Sequence, residues 1–325
     1  MRGAIVVREW GGPEVLEWVD RDPGEPGPGE VRVRHTAVGL NFIDVYHRTG
    51  LYPQDPPFTP GVEGAGRVEA VGDGVEGLAV GDRVAYTSNG PIGSYCEARV
   101  MPAWRLVRLP DDIGDEVAAA LMVKGCTVEY LVRRTYAVQP GDNVLLTAAA
   151  GGVGLVACQW LRALGANVIG AVGSPEKAEL AQAHGCDHVI LYREEDITER
   201  VGEITDGAMC RVVYDSVGAS TFEPCLRSLA RRGMMVTFGN ASGPVDPVPP
   251  LALARQGSVF LTRPRLADYY ATREETVAGI GALFEMVSRG AIVPHIGARY
   301  PLRDVARAHR DLEARKTVGS SVLLA

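Results

Sequence analysis

A glycine-containing turn between an apolar strand and an apolar helix is the first feature of this sequence that suggests chemistry. Residues 143–148 form a predicted strand, and Ala149, Gly151 and Gly154 follow it into a predicted helix over 152–164. This spacing matches the dinucleotide-binding fingerprint, with alanine at its first glycine position. Gly151 allows the backbone to approach a pyrophosphate, whose charge the helix amino terminus attracts. The turn therefore predicts nucleotide binding; a turn that serves only close packing is the alternative.

The end of the next predicted strand indicates which nucleotide is bound. Strand 167–172 is followed by Gly173 and Ser174, where an NAD-binding unit carries an acidic residue for the ribose 2′-hydroxyl. Lys177 follows three residues later. A hydroxyl and an ammonium group attract a phosphate that a carboxylate would repel. These residues favour NADP over NAD, although Glu176 is acidic and Ser174 also fits a plain helix cap.

Strands and helices continue to alternate through the middle of the chain. Further strands are predicted at 188–191, 211–216, 233–238 and 258–262, with helices between them. This alternation is typical of right-handed βαβ units, which build a parallel sheet with helices on both faces. The predicted fold class is therefore α/β, with a Rossmann doubly wound parallel sheet.

The regions on either side of this sheet have a different texture. Residues 1–110 contain short alternating runs separated by Gly and Pro, which indicates a small β-barrel or sandwich. Two separate helices are predicted at 115–123 and 126–138, and 268–325 is predicted to hold two helices and a terminal strand. We expect two domains with a cleft between them.

The composition argues against several classes of protein. The chain of 325 residues has a formal net charge of −7, whereas binding to nucleic acid or an anionic membrane requires a basic surface. Its six cysteines form no C-x-x-C pair, which argues against a zinc framework and fits reduced thiols in the cytoplasm. The amino-terminal run contains charges and does not resemble a signal peptide.

Several longer motifs carry a family resemblance over almost the whole chain. They are GGPEVL (11–16), GLNFIDVYHRTGLYP (39–53), AAAGGVGL (148–155), YREED (192–196), RVVYDSVG (211–218), FGNASG (238–243), LTRP (261–264) and GSSVLL (319–324). The chain resembles the zinc-free quinone oxidoreductases of the medium-chain dehydrogenase/reductase superfamily, and most of all the bacterial NADPH:quinone reductases related to zeta-crystallin. The resemblance implies a GroES-like β-barrel catalytic domain over 1–124, a Rossmann NADPH-binding domain over 125–267, and a return to the catalytic domain over 268–325.

The resemblance also implies that no metal is bound. The superfamily's zinc alcohol dehydrogenases carry Gly-His-Glu where this chain has Gly61, Val62 and Glu63, and their first zinc cysteine is missing from LNFIDVY. A zinc site needs several converging N, S or O ligands. The sequence shows no such set, so we expect no metal.

The family's NADPH contacts fall on residues of the matching motifs. The resemblance places the nicotinamide end near Phe42, Ile43, Asp44 and Tyr130. It places the pyrophosphate at Gly151, Gly152, Val153 and Gly154. It places the 2′-phosphate and its ribose at Gly173, Ser174, Lys177 and Tyr192. It lines or closes the remaining cofactor site with Val217, Phe238, Gly239, Asn240, Ala241, Ser242, Arg263, Pro264, Arg265, Leu266 and Arg315.

The expected substrate is a small-molecule quinone. Direct hydride transfer to a quinone needs hydrogen-bond donors at the carbonyl oxygens and no strong general acid, because a hydroquinonate can take its proton from water. Asn41, Tyr46 and Tyr52 lie in the family's substrate-pocket motif and can each donate such a bond; plain barrel packing is the alternative for the tyrosines. Lys124 and Thr127 lie in KGCT, which resembles the family's KGLT, at the edge of the same cleft.

Two other functions remain open at this point. One is NADPH-dependent reduction of activated C=C bonds in enals, enones or enoyl thioesters, and the other is non-catalytic NADPH binding of the crystallin kind. We expect no nucleic-acid or membrane partner. A homodimer is expected from the family and from the exposed last strand of the sheet, SVFLTRP (258–264).

Overall fold

The computed structural model describes residues 1–87 and 91–325. The chain divides into two compact units. Unit 1 comprises Met1–Cys126, Tyr269–Arg289 and Pro294–Ala325, and unit 2 comprises Thr127–Asp268 and Gly290–Val293. Each unit has its own sheet and its own apolar core.

The strands of the described residues are mostly short. In chain order they are β1 (Arg2–Val6), β2 (Glu17–Arg21), β3 (Glu30–Leu40), β4 (Glu63–Val71), β5 (Arg83–Thr87), β6 (Ala98–Pro102), β7 (Val107–Arg108), β8 (Asn143–Thr147), β9 (Asn167–Val172), β10 (His188–Leu191), β11 (Cys210–Asp215), β12 (Leu229–Thr237), β13 (Phe260–Thr262), β14 (Ile296–Pro301) and β15 (Ser320–Leu324).

The helices are concentrated in unit 2 and in the last part of the chain. They are α1 (Phe42–Thr49), α2 (Asp115–Tyr130), α3 (Gly152–Ala163), α4 (Pro175–Ala183), α5 (Ile197–Ile204), α6 (Phe222–Arg227), α7 (Pro250–Arg255), α8 (Leu266–Tyr269), α9 (Arg273–Ser288) and α10 (Val305–Glu313). Within the described ranges, none of these helices combines the length and apolarity needed to cross a bilayer.

The sheet of unit 2 has the strand order β10-β9-β8-β11-β12-β13, and all of its neighbouring pairs are parallel. The chain moves outward from β8 to β10 and then returns to the other side of β8 with β11. This reversal is the switch point of a Rossmann fold. The prediction of a doubly wound parallel sheet is therefore confirmed.

The apolar sequence of these strands follows from burial. In β9, every residue from Val168 to Val172 is buried, as expected of a parallel strand that is covered on both faces. Ile169 packs with Leu145 of β8 in a cluster that also contains Phe222 of α6. Hydrophobic contact on both faces thus fixes the strands whose ends carry the predicted site.

The prediction of two separate helices at 115–123 and 126–138 is wrong. The structure has one helix, α2, which runs through Lys124 and Gly125, followed by a π-helical turn at Leu131–Thr135. A Cβ atom at Gly125 would lie 2.5 Å from the methyl groups of Leu283 in α9. The glycine therefore makes room for a neighbouring helix and does not end its own.

Unit 1 is built around the long strand β3. This strand pairs antiparallel with β4, β6 and β15, and β5 and β7 extend the sheet beyond β4. Val31, Val33 and Val84 are fully buried in one of its clusters. The predicted final segment lacked β14, which pairs parallel with β15. Its residues alternate only between half-buried and exposed, so no clear hydrophobic period marks it.

Candidate active site

The predicted nucleotide-binding residues of unit 2 follow the carboxyl ends of neighbouring parallel strands. Gly151 follows β8, Gly173 follows β9, Tyr192 follows β10, Val217 follows β11 and Gly239 follows β12. Because the strands are parallel, these ends lie along one edge of the sheet. This is the edge at which open α/β sheets bind ligands.

The turn after β8 is held by close backbone contacts. Ala148 has a left-handed backbone with φ of 50°, and its carbonyl accepts a hydrogen bond from the Gly151 amide at 2.8 Å. A Cβ atom at Gly154 would lie 2.3 Å from the same carbonyl oxygen. Gly152 and Val153 form the first turn of α3, where backbone N–H groups have no partner within the helix. The turn can therefore present amide donors to an anion.

The end of β9 lies beside a tyrosine and an arginine. A Cβ atom at Gly173 would lie 2.9 Å from the Tyr192 hydroxyl and 3.4 Å from Nε of Arg193. The Tyr192 amide donates to the carbonyl of Val172 at 3.2 Å, which fixes the backbone on which both side chains stand. Polar and cationic groups thus border the position where an NAD-binding unit would carry a carboxylate.

Helix α4 begins next to this position. Ser174 is its N-cap residue and Pro175 its first residue, as predicted, but the Ser174 hydroxyl makes no capping hydrogen bond to the helix amides. The pKa of Glu176 is lowered by its own backbone N–H and by the Ser174 hydroxyl. The start of α4 therefore stabilises negative charge, and Lys177 lies within its first turn.

Asp215 fixes the loop after β11, and sequence reasoning did not single it out. Its buried carboxylate accepts bonds from the hydroxyls of Thr147 at 2.8 Å and Thr221 at 2.7 Å. It also accepts from the amides of Val217 and Gly218, each at 3.1 Å. Both carboxylate oxygens are engaged in positioning the loop.

The loops after β11 and β12 hold each other. The Ser242 hydroxyl donates to the Val217 carbonyl at 2.8 Å. Gly239 approaches the carbonyl of Ser216 so closely that a Cβ atom would lie 2.2 Å from its oxygen. The Arg263 guanidinium donates to the Gly239 carbonyl at 3.2 Å. The structure thus brings these predicted residues into one cluster.

The other predicted cofactor residues and Thr127 are divided between the two units. In unit 2, Phe238, Asn240 and Ala241 flank Gly239, while Pro264, Arg265 and Leu266 follow β13; Thr127 and Tyr130 are buried in α2. Arg265 forms an ion pair with Asp268 at 2.9 Å. Arg315 belongs to unit 1, after α10, and has a left-handed backbone with φ of 58°.

In unit 1, the predicted residues Asn41 to Asp44 form the start of α1. Asn41 is the N-cap residue, and its backbone N–H donates to Oδ2 of Asp44 at 2.9 Å. Phe42 and Ile43 form the first turn between them. The Asp44 carboxylate thus satisfies a backbone donor at the helix start, as in a capping box.

A buried carboxylate connects Asn41 with Lys124. Oε1 of Glu63 accepts bonds from Nδ2 of Asn41 at 2.7 Å and from Nζ of Lys124 at 3.0 Å. Oε2 accepts from the Val123 amide at 2.6 Å. Glu63 is fully buried and Lys124 is 5% exposed. Two of the predicted substrate residues are therefore held by a glutamate that sequence reasoning used only as a family landmark.

A second buried chain of hydrogen bonds ends on Asp44. Nη1 of Arg48 donates to Nδ1 of His309 at 3.2 Å, because arginine can only donate. His309 then carries its proton on Nε2 and donates to the Tyr95 hydroxyl at 3.2 Å. Tyr95 donates to Oδ2 of Asp44 at 2.8 Å, and Arg48 is anchored by an ion pair with Glu313 at 2.8 Å.

This environment changes the acidity of the buried groups. Burial raises the pKa of Asp44 to about 7, against the lowering effects of Tyr95, the Asn41 amide and Lys124. Oδ1 of Asp44 has no hydrogen-bond partner among the described residues. Burial and the nearby Arg48 lower the pKa of His309 to about 3, so its ring is neutral at physiological pH.

The two predicted substrate tyrosines lie together in unit 1. The rings of Tyr46 and Tyr52 meet edge to face with their centroids 5.1 Å apart. The Tyr52 amide donates to the Tyr46 carbonyl at 3.0 Å, and the ring of Phe42 lies 6.3 Å from that of Tyr46. An aromatic surface therefore follows the start of α1.

The described residues contain no group of three or more His, Cys, Asp or Glu side chains arranged to hold a metal ion. At the position where the superfamily's zinc alcohol dehydrogenases carry the histidine of Gly-His-Glu, Val62 is buried and apolar. The Glu63 carboxylate accepts hydrogen bonds from the side chains of Lys124 and Asn41 and from a backbone amide. Glu63 is therefore part of a hydrogen-bonded ion pair with Lys124.

Both units match family models of one superfamily. Residues 27–111 match an alcohol dehydrogenase GroES-like domain, and residues 152–278 match a zinc-binding dehydrogenase. With the Rossmann strand order, these matches define a medium-chain dehydrogenase/reductase, and the expectation of a GroES-like domain and a Rossmann sheet is confirmed.

The relatives identify the family within this superfamily. A quinone oxidoreductase of Pseudomonas aeruginosa is 54% identical over 325 residues, covering 100% of both chains. The crystal structure of Escherichia coli quinone oxidoreductase complexed with NADPH is 47% identical, with a TM-score of 0.97 over 99% of this chain and 100% of that one. A 2-haloacrylate reductase of a Burkholderia species is 44% identical, over 99% and 98% of the two chains. The chain belongs to the quinone oxidoreductases, as its motifs predict.

The pair of Glu63 and Lys124 gives a first prediction. Lys124→Met leaves a buried carboxylate without its cation, so we expect the free energy of unfolding to fall by about 3–5 kcal/mol. Lys124→Met combined with Glu63→Gln should recover part of this loss, because the unpaired charge is gone. Urea unfolding measures both, with Lys316→Met, at an exposed lysine, as the matched control. A Lys124→Met variant as stable as the control would contradict the argument.

The raised pKa of Asp44 gives a second prediction. Its pKa is about 7 in the fold against 3.8 ordinarily, so between these values the folded protein binds a proton that the unfolded chain has lost. Stability from this group therefore decreases as pH rises from about 4 to about 7. The difference in unfolding free energy between Asp44→Asn and the wild type should therefore shift in favour of the variant as pH rises from roughly 5 to roughly 8. The shift should be at most about 3 kcal/mol. Urea unfolding at both pH values measures this, and a difference that is independent of pH would contradict it.

Proposed function

We propose that the protein is an NADPH-dependent quinone reductase that transfers a hydride from the nicotinamide directly to a quinone. The observation that carries the proposal is the ligand edge of unit 2. Amide donors after β8 and the polar groups around Gly173 lie there, without a carboxylate at the end of β9. The identity of about half of all residues to quinone oxidoreductases supports the same function.

The residues present fit NADPH. Glycines at 151 and 154 keep the turn after β8 short, so that backbone amides can bind the pyrophosphate. Gly173, Ser174, Lys177 and Tyr192 would hold the 2′-phosphate. The lowered pKa of Glu176 supports this assignment, because its own backbone amide and the Ser174 hydroxyl already stabilise an anion at the start of α4. The remaining contacts of the family are proposed at the positions that match its motifs.

NADPH, when bound, supplies the hydride. The chain's own task is then to orient the acceptor and to stabilise the negative charge that develops on its oxygens. We assign this to Asn41, Tyr46 and Tyr52, with Lys124 and Thr127 nearby in sequence. Asn41 and Lys124 are held in place by Glu63, so these donors are oriented before the substrate binds. The hydroquinonate is a stable anion and takes its final proton from water.

The proposed reaction needs no metal. A quinone is already electron-poor, and hydrogen bonds suffice to stabilise a delocalised hydroquinonate. The buried ammonium group of Lys124, which is fixed by Glu63 at 3.0 Å, supplies positive charge in this part of unit 1. Metal-independent turnover is therefore part of the proposal.

A second candidate is the reduction of activated C=C bonds. The observation that favours it is the 44% identity to a 2-haloacrylate reductase over nearly the full length of both chains. This reaction requires a proton at the carbon next to the acceptor group, and Asp44 with its raised pKa is the buried acid of unit 1 that can change charge near neutral pH.

Turnover with matched acceptors tests the function. We expect kcat/KM with NADPH and 1,4-benzoquinone to exceed that with 2-chloroacrylate by at least about tenfold, equivalent to 1.4 kcal/mol of transition-state stabilisation. Replacing NADPH by NADH should lower it, and a chelator should leave it unchanged. NADPH oxidation at 340 nm measures all three. Faster turnover of the haloacrylate would favour the second candidate, and turnover of neither would favour a non-catalytic NADPH-binding protein.

We also propose a cytoplasmic homodimer. None of the six cysteines forms a disulfide, and all six are buried, which fits a reducing compartment. The edge strand β13 pairs only with β12 in the described sheet, and its residue Phe260 is 59% exposed. Pairing of β13 with a second copy would cover this edge. Light scattering should give the mass of two chains, and the mass of one chain would contradict the dimer.

A further inference from the structure

Arg193 lies next to Gly173 but has no assigned role. A Cβ atom at Gly173 would lie 3.4 Å from Nε of Arg193. The same Cβ atom would lie 2.9 Å from the Tyr192 hydroxyl. Two consecutive side chains after β10 therefore converge on the backbone that ends β9. A glycine at 173 leaves this space open.

The charge of Arg193 is not used within the fold. Its side chain is exposed, and it forms no ion pair within the described part of the chain. Of the three acidic residues that follow it, Glu195 and Asp196 are engaged elsewhere. Glu195 accepts from the Leu191 amide at 2.7 Å and pairs with Arg200 at 2.8 Å, and Asp196 caps α5 by accepting from the Glu199 amide at 3.0 Å.

The neighbouring turn already favours negative charge. The Ser174 hydroxyl and the backbone at the start of α4 lower the pKa of Glu176, and Lys177 follows in the same turn. Arg193 approaches Gly173 from a different element, the end of β10. Cationic residues of two elements, α4 and the end of β10, therefore lie next to one short backbone segment, and such an arrangement favours binding of a phosphate dianion.

We propose that Arg193 is a further specificity-determining residue, whose guanidinium binds the 2′-phosphate of the cofactor together with Lys177. This inference rests on the proposed use of NADPH. A guanidinium can donate two parallel N–H bonds to phosphate oxygens, whereas the lysine ammonium acts as a point charge. Arg193 therefore adds discrimination against NADH that Lys177 alone would not supply.

Binding of nucleotide fragments separates this role from catalysis. Isothermal titration with 2′,5′-ADP and with 5′-AMP compares ligands that differ only in the 2′-phosphate. At low ionic strength, we expect Arg193→Gln to weaken binding of 2′,5′-ADP roughly tenfold and binding of 5′-AMP less than twofold, because one charge-assisted contact is lost. Lys177→Ala should act in the same direction, and Arg193→Lys should recover part of the loss. Arg227→Gln, at an exposed arginine of unit 2, is the matched control and should change neither affinity.

Three results would overturn the inference in distinguishable ways. If the wild type prefers 2′,5′-ADP and Arg193→Gln retains that preference, Arg193 has no such role while the proposed function stands. If Arg193→Gln weakens both nucleotides equally, the residue acts on the fold of the site and not on the 2′-phosphate. If the wild type itself binds both nucleotides equally, the proposed use of NADPH fails, and this inference fails with it.

Discussion

Helix α3 begins in contact with the turn that ends β8, and the ligand edge of unit 2 depends on this close approach. A side chain at Gly154 would collide with the carbonyl oxygen of Ala148 at 2.3 Å, so only glycine allows the helix to start there. The unpaired amides of the first helical turn therefore stay at the sheet edge. Asp215, the buried carboxylate of this edge, is saturated by four donors and does not compete for them.

In unit 1, the two buried carboxylates are compensated in different ways. Glu63 pairs with the ammonium group of Lys124 at 3.0 Å. Among the described residues, Asp44 accepts hydrogen bonds only from a hydroxyl and a backbone amide. Arg48, the cation at the other end of this hydrogen-bond chain, is already paired with Glu313. Burial without a direct cation disfavours ionisation, which explains why the pKa of Asp44 rises to about 7. Asp44 can therefore take up a proton near neutral pH.

The features that the sequence predicted correctly depend on residues that are close together in the chain. The alternation of apolar strands and helices gave the Rossmann sheet, and the Ala149-x-Gly151-x-x-Gly154 spacing gave its turn, because both patterns lie within a few residues. The hydrogen bonds of Asp44 could not be predicted, since Tyr95 and His309 are separated by 214 positions and no periodicity links them. Helix α2 was divided wrongly because the contact that requires Gly125 comes from Leu283. Glu63 begins β4 and Asp215 ends β11, so both acids could have been suspected from their places at strand ends, but their partners could not.

Glu63 also explains how a motif can be kept while its chemistry changes. The zinc members of the superfamily have histidine at the position of Val62, and that position is buried and apolar here. With the histidine gone, an isolated buried glutamate would be costly. Lys124, Asn41 and the Val123 amide satisfy both of its oxygens, so the acid persists as the anchor of two donors. An electron-poor acceptor such as a quinone needs oriented donors more than a strong Lewis acid. In the reaction proposed above, the ion pair would supply oriented donors from the same position in the fold.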